Sequence, residues 1–315
     1  MLERAPKKPP RKGPPPPGAF GYDPKRTRAR RILKKLTLKN ARLRLRNRLA
    51  VSRAMKELAK FPKNANAPRH SLPAPLIVSL TSFPARFATL HLTIMSLIDQ
   101  KVRPDRILLW IAHEDLAKLP QEVRSLEGDL FSVRACEDLR NFKKILPTLK
   151  EHPGAFVVIC DDDTYYADDW LKRLIDAYDP AQPSLVCHRA HRLKHTPDGQ
   201  IAPYRTWTRD VSGPSTETPR MDLLPTGNGG VLYPPGSLPP MTSDFDLIRK
   251  LSSTSDDVWL FFMAKQAGYA VRRVPGPKQR FLEWPKTQEQ ALFAFHRGGT
   301  KDEHIHDMAR HFGVP

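Results

Sequence analysis

Between residues 76 and 188, short apolar runs alternate with stretches of helical periodicity, and this alternation confines the chain to a small set of folds. Residues 76–80 form an apolar run ended by Thr81, Ser82, Phe83 and Pro84, the pattern of a strand followed by a loop. Phe87, Leu90, Ile94, Leu97 and Ile98 then recur at helical spacing and predict an amphipathic helix closing near Gln100. Pro104 interrupts the pattern, residues 106–112 predict a second strand, and residues 130–134 a third, followed by a helical stretch around 141–150. A fourth strand over 155–160 runs into Asp161, Asp162 and Asp163; a helix over 168–178 and a strand near 185–188 follow. Alternation at this spacing predicts an α/β fold with a mostly parallel sheet and helices on both faces. In such sheets ligands bind at the carboxyl ends of the strands.

Charge divides the chain in two. The 315 residues carry 52 Lys and Arg against 33 Asp and Glu, a formal net charge of +19. Residues 1–70 hold 22 basic and 3 acidic side chains, so the remaining 245 residues balance at 30 and 30. The expectation is a basic extension over 1–70 and a neutral body over 71–315, long enough for one large domain. A neutral body argues against nucleic-acid binding through bulk charge. Within the extension, Lys7 to Lys12 and the Pro14–Pro17 tract cannot bury a core, whereas residues 27–61 are helix-prone and basic. Their leucines form no single stripe: Ile32, Leu36 and Leu43 cluster apart from Leu38, Leu45 and Leu49. Anionic membrane is a candidate partner, a solvated extension without a partner the alternative; nucleic acid is disfavoured by the scarcity of aromatics. The first residues lack the apolar stretch of a signal peptide, and no window reaches the roughly 18 apolar residues of a spanning helix. Cys136, Cys160 and Cys187 are few and odd in number, which fits a reducing compartment. The expected location is cytoplasmic, with the extension offering peripheral contact at the inner face of the membrane.

Three constellations bear on chemistry. A buried apolar strand that delivers three carboxylates to its end gathers like charges, which a hard divalent cation such as Mg²⁺ or Mn²⁺ relieves. An ordinary turn or helix cap is the alternative use of these aspartates. The second is Asp256 and Asp257, opening the apolar run 258–264; Ser255 or Asp256 is a candidate helix cap, and the remaining acid is placed as a general base. The third is Gly227, Asn228, Gly229 and Gly230, either a tight turn or a loop packed against a bound sugar or phosphate.

As an ordered set, the opening loop over 79–86, the aspartates after the fourth strand, the glycine-rich strand entry and the acidic pair resemble a nucleotide-sugar glycosyltransferase of the GT-A fold. The likeness is to bacterial enzymes that build surface polysaccharide or lipopolysaccharide, and it spans roughly residues 74–275. The resemblance implies a nucleotide-sugar donor, a glycan or lipid-linked acceptor and a divalent cation. It implies that Asp161 and Asp163 hold the metal, with Asp161 and Asp162 also meeting the donor. Thr81, Ser82 and Arg86 would lie against the nucleotide, Glu114 or Asp115 would meet the base, and Lys143 or Lys144 would neutralise the diphosphate. Asp257, in preference to Asp256, would be the catalytic base of an inverting enzyme. A C-terminal histidine meets the metal in some such enzymes, which brings in His296, His304 and His306; a surface helix with incidental histidines is the alternative. Tyr204 and Trp207 are candidates for a sugar-binding wall or for core.

Competing functions remain. A dehalogenase-type phosphatase also carries Asp-x-Asp after a strand, but Tyr165 stands where that motif calls for Thr or Val. A nucleotidyltransferase shares the fold and the metal logic, but no basic glycine-rich loop follows the first strand. A non-catalytic protein acting through its basic extension is the third class.

Overall fold

The computed structural model describes residues 41–43, 45–285, 287 and 300–314. It comprises two units, Met1–Ala50 and Val51–Pro315. In the first, residues 41–43 and 45–50 are helical; the proline tract and the apolar positions Ile32, Leu36 and Leu38 lie outside the described residues. The second unit opens with helical residues 51–58 (α1), inside the segment that charge assigns to the extension. Ala54 and Leu58, four apart on one helix face, bury themselves against Trp284. Farther on, Lys63 pairs with Asp168 at 2.7 Å and His70 with Asp105 at 2.7 Å, so residues 51–70 pack with the body.

Along the chain follow β1 (Leu76–Thr81), α2 (Phe87–Ile98), β2 (Arg106–Ala112), α3 (Gln121–Arg124) and β3 (Phe131–Cys136). The predicted helical stretch near 141–150 is a 3-10 turn, Arg140–Lys144, leading into α4 (Leu146–Glu151). Next come β4 (Phe156–Ile159), β5 (Thr164–Tyr165), α5 (Trp170–Asp176), β6 (Leu185–Cys187), β7 (Ala190–Arg192), β8 (Leu223–Pro225) and β9 (Val231–Tyr233). The chain continues with α6 (Phe245–Leu251), α7 (Asp256–Gln266), β10 (Val271–Arg273), β11 (Leu282–Glu283) and α8 (Thr300–Phe312).

Seven strands form one sheet in the order β10-β6-β9-β4-β1-β2-β3. β1 is parallel to β2 and to β4, β2 to β3, and β6 to β10; β9 is antiparallel to both of its neighbours. The sheet is therefore mostly parallel, as expected, with one reversed strand inserted beside β4. Two small antiparallel pairs, β5 with β11 and β7 with β8, lie outside it.

The apolar runs are continuous because both sheet faces are covered. Successive side chains point to opposite faces: Val157 and Ile159 join a core with α4, α7 and α8, whereas Phe156 and Val158 join one with α2 and α5. α7 is buried all round from Val258 to Lys265, as a helix sandwiched between a sheet and further helices must be. The buried amide of Gln100 ties the end of α2 to α5, donating to Ser96 O and Ala167 O and accepting from Leu171 N.

Candidate active site

Parallel pairing sends the C-terminal ends of β1, β2, β3 and β4 to one edge of the sheet. Because β9 runs the other way, with Ile159 opposite Val231, its entry lies at that same edge. The glycine-rich segment thus arrives beside the aspartates that end β4. The first residues of α7 are joined to them through Lys144.

That lysine is the hub. Its Nζ lies 3.1 Å from Asp161 Oδ1 and 2.7 Å from Asp256 Oδ2, and the side chain is 8% exposed. Burial works against its charge, but Asp161, Asp256 and Asp257 together hold its pKa well above the usual lysine value. Asn141 Nδ2 donates to the other oxygen of Asp256. Asp257 Oδ1 accepts from Gly227 N at 3.0 Å. Burial first, then the charge of Asp256, pushes Asp257 up to about 6, despite opposing contributions from Lys301 and Lys144. Ser255 occupies the N-cap position of α7 without a side-chain capping bond; neither it nor Asp256 caps as expected, because Asp256 is committed to Lys144 and Asn141.

The opening loop acts on the second aspartate. Ser82 Oγ donates to Asp162 Oδ2 at 2.5 Å, Arg86 Nη1 donates to Asp162 Oδ1 at 2.7 Å, and Arg86 Nη1 lies 3.2 Å from Asp163 Oδ2. Asp162 is buried, which raises its pKa, and Arg86 and Ser82 counter that shift. Asp163 is pushed up to about 7, by burial first and then by the charge of Asp161. Glu283 on β11 also affects Asp163, and its own pKa is raised by burial and by Asp161. Its Oε1 accepts from Asn228 Nδ2 at 3.3 Å.

Two glycines pack closely here, and at Gly230 the backbone calls for glycine. A Cβ at Gly227 would lie 2.9 Å from Lys144 Nζ and 3.3 Å from Asp161 Oδ1. At Gly230, φ is +88° and a Cβ would come within 2.4 Å of Trp170 Cζ2. Trp170 and Tyr166 back the loop: Trp170 Nε1 donates to Gly229 O at 2.7 Å, and Tyr166 OH accepts from Asp161 N at 2.9 Å.

The structure therefore joins Ser82, Arg86, Lys144, Asp161, Asp162, Asp163, Gly227, Asp256 and Asp257 by direct contacts. Other candidates are engaged elsewhere. Thr81 Oγ1 donates to Trp110 O, tying β1 to β2. Lys143 turns away from its neighbour and pairs with Asp138 at 2.5 Å. Glu114 and Asp115 sit in a 3-10 turn after β2, with Asp115 paired to Lys118 at 2.7 Å. Trp207 is core, donating to Ala202 O, whereas Tyr204 is partly buried. On α8, His304 is buried and His306 exposed, on different faces; His296 lies outside the described residues. Glu283, Asn141, Tyr166 and Lys301 were not singled out in the sequence; only their positions in space connect them to the site.

Among the described residues no three His, Cys, Asp or Glu side chains converge as a ready-made metal centre. Magnesium-type sites commonly use one or two carboxylates completed by substrate phosphates. The donor set here is all oxygen, and Asp161, Asp163 and Glu283 each feel another's charge. Those carboxylates suit a hard cation that arrives with a phosphate ligand.

No protein-family model matches the chain, and no curated protein matches it. Among solved structures it is similar to the inositol-1-phosphate CTP transferase from T. maritima, at 12% identity over 77% of this chain and 98% of that one, with a TM-score of 0.40. It is similar to a 4-diphosphocytidyl-2C-methyl-D-erythritol synthase from Anaerococcus prevotii, at 14% identity over 74% and 96% of the two chains, with a TM-score of 0.41. GalNAc-T7, solved with UDP, GalNAc and Mn²⁺, is 12% identical over 64% of this chain and 42% of that one, with a TM-score of 0.40. These are distant similarities in the course of the chain, and none of them assigns an activity.

Proposed function

We propose that this protein is a GT-A glycosyltransferase that moves a sugar from a nucleoside-diphosphate donor to a hydroxyl of a glycan or lipid-linked acceptor. The observation that carries the proposal is the Lys144 bridge, which binds the acid ending β4 to the acidic pair opening α7 and places Asp257 on the amide of the glycine-rich loop. A donor-side acid cluster and a candidate base thus form one network.

Asp163 and Asp161 would hold a divalent cation, Mn²⁺ or Mg²⁺, which when bound offsets the negative charge developing on the departing diphosphate. Arg86 and Ser82 fix Asp162, so that the strand end keeps its shape as ligands come and go. Lys144 pairs with Asp161 and Asp256 and limits the upward shift of Asp257. Asp257 accepts the proton of the acceptor hydroxyl as its oxygen bonds to the anomeric carbon from the face opposite the diphosphate. The carbon–oxygen bond to the diphosphate breaks, and its electron pair leaves on the phosphate oxygen. A base near 6 is largely ionised at neutral pH yet close enough in pKa to take a proton efficiently. In the same proposal Glu114 or Asp115 meets the nucleotide base, and the basic residues of 1–70 hold the enzyme at anionic membrane in the cytoplasm. Among the described residues no helix is long and apolar enough to cross a membrane.

The test is thermal stabilisation by a panel of nucleotide sugars and nucleoside triphosphates, with and without Mn²⁺. Metal-dependent stabilisation by a nucleotide sugar is the expected result. A response confined to triphosphates would instead assign a nucleotidyltransferase.

A further inference from the structure

Beside the candidate base lies a group of cations that act on the acid network through charge but form no ion pair with it among the described residues. In the β7–β8 pair, Ala190 stands opposite Pro225 and His191 opposite Leu224. Arg189 and Thr226 consequently meet at the end of the pair: Thr226 N donates to Arg189 O at 3.1 Å, and Arg189 Nη1 donates to Thr226 Oγ1 at 3.2 Å. The next residue is Gly227, whose amide holds Asp257. The segment from Tyr204 to Asp210 returns across β7, with Arg192 N bonded to Thr208 O and Asp210 N bonded to His191 Nδ1. This puts the Tyr204 ring edge-on to His191, with centroids 5.8 Å apart. Two cations sit over that one ring, Arg209 at 5.3 Å and Lys301 of α8 at 4.6 Å from its centroid.

The acids nearby serve other partners. Asp222 takes both Arg192 and Arg220, and Asp302 Oδ1 accepts from Tyr204 N. Among the described residues, Arg189, Arg209 and Lys301 form no ion pair with a carboxylate. His191 adds no charge of its own: burial first, and then these three cations, push it down to about 3. Two positive groups over one aromatic ring, with Arg189 acting on the same His191, repel one another, and an anion among them relieves that repulsion. Guanidinium groups suit planar or tetrahedral oxyanions, and a tyrosine face suits a sugar ring or a cation. Arg189 adjoins Asp257 through Thr226 and Gly227.

We propose that Arg209 and Lys301 over Tyr204, with Arg189 at Thr226, form the acceptor subsite, and that the acceptor is acidic, with a phosphate or carboxylate near the hydroxyl that receives the sugar. The proposal rests on the glycosyl-transfer reading above and adds to it the chemical class of the acceptor. The oxyanion is held by the platform while its neighbouring hydroxyl faces Asp257. Charge-assisted hydrogen bonds of this kind are about twice as strong as neutral ones, enough to distinguish an acid from its neutral counterpart by roughly tenfold or more.

The test measures binding of inorganic phosphate, glucuronate and neutral methyl glucoside to the full chain at low ionic strength. The variants are Arg209→Gln and Lys301→Gln, alongside metal-dependent stabilisation by nucleotide sugars. The expected result is binding of at least one anion, roughly tenfold tighter than the methyl glucoside. Each variant weakens that binding about tenfold while donor stabilisation persists. Whether phosphate or glucuronate prevails identifies the acidic group. Equal binding of anions and the neutral sugar, or anion binding unchanged in both variants, overturns the subsite. Loss of donor stabilisation in the variants also overturns it, by moving the cations to the donor diphosphate. Failure of the glycosyl-transfer reading is distinct from all of these, since it appears as no metal-dependent response to any nucleotide sugar in the unmodified protein.

Discussion

Replacing Lys144 by methionine keeps most of the side-chain volume and removes the charge that joins the two acid groups. The ammonium lies 3.1 Å from Asp161 and 2.7 Å from Asp256, with Asp256 11% and Asp161 28% exposed. Removing one partner of a buried pair costs about 3–5 kcal/mol, because the remaining charge is left in a poorly solvated place. The exposure of Asp161 reduces its share, so a loss of about 3 kcal/mol is expected, or roughly 6–12 °C in Tm for a chain of this size. The loss should depend on pH. Burial and Asp256 already raise Asp257 to about 6, and Lys144 is among the groups that restrain it; without Lys144 it rises further. A carboxyl whose folded pKa exceeds its unfolded value of roughly 3.9 carries no penalty below that value. The penalty grows as pH climbs through the folded pKa, so the variant's deficit should be larger at pH 8 than at pH 5. Urea unfolding at both pH values measures this, and Asp256→Asn in the Lys144→Met background should recover about 1–3 kcal/mol through the lost repulsion. A deficit below about 1 kcal/mol, or an equal deficit at both pH values, would leave Lys144 as packing alone.

Two further substitutions probe other parts of the site. Asp257→Asn should lower turnover by about 10²–10⁴-fold with little change in donor affinity; wild-type turnover should fall as pH drops through about 6, and a variant with normal turnover would exclude Asp257 as the base. Gly230→Ala places a methyl group 2.4 Å from the buried Trp170 ring at a positive φ, so unfolding measurements should show roughly 2–5 kcal/mol lost; a neutral outcome would mean that the loop relaxes freely.

The parallel half of the sheet was legible because its strands are buried on both faces and read as unbroken apolar runs: β2 occupies residues 106–112 as expected, and α2 starts at Phe87. Asp161, Asp162 and Asp163 were legible for the same reason, since a strand of this type must end at the ligand-binding edge. The reversed strand β9 was not. Its three residues, Val231–Tyr233, carry no directional signal, and only pairing with β4 and β6 orients them. That orientation brings Gly227 to Asp257, which explains how segments distant in sequence form one site. The choice between Lys143 and Lys144 was also invisible: adjacent residues on a 3-10 turn diverge, one to Asp138 and the other to Asp161 and Asp256. Ser82 and Arg86 enter through the resemblance, as residues against the nucleotide, and in the structure their contacts go to Asp162. Glu283 and Lys301 carry no motif, and only the fold brings their charge to the acids of β4 and α7.

In the proposed reaction the carboxylates ending β4 bind a nucleotide sugar together with a divalent cation. Calorimetric titration of the stabilising nucleotide sugar into the wild-type protein and Asp163→Asn, each with Mn²⁺ and with chelator, tests it most directly. Donor binding should require Mn²⁺ in the wild type and be weakened about 100-fold or more in the variant, which remains folded. Equal donor affinity in all four titrations would contradict it.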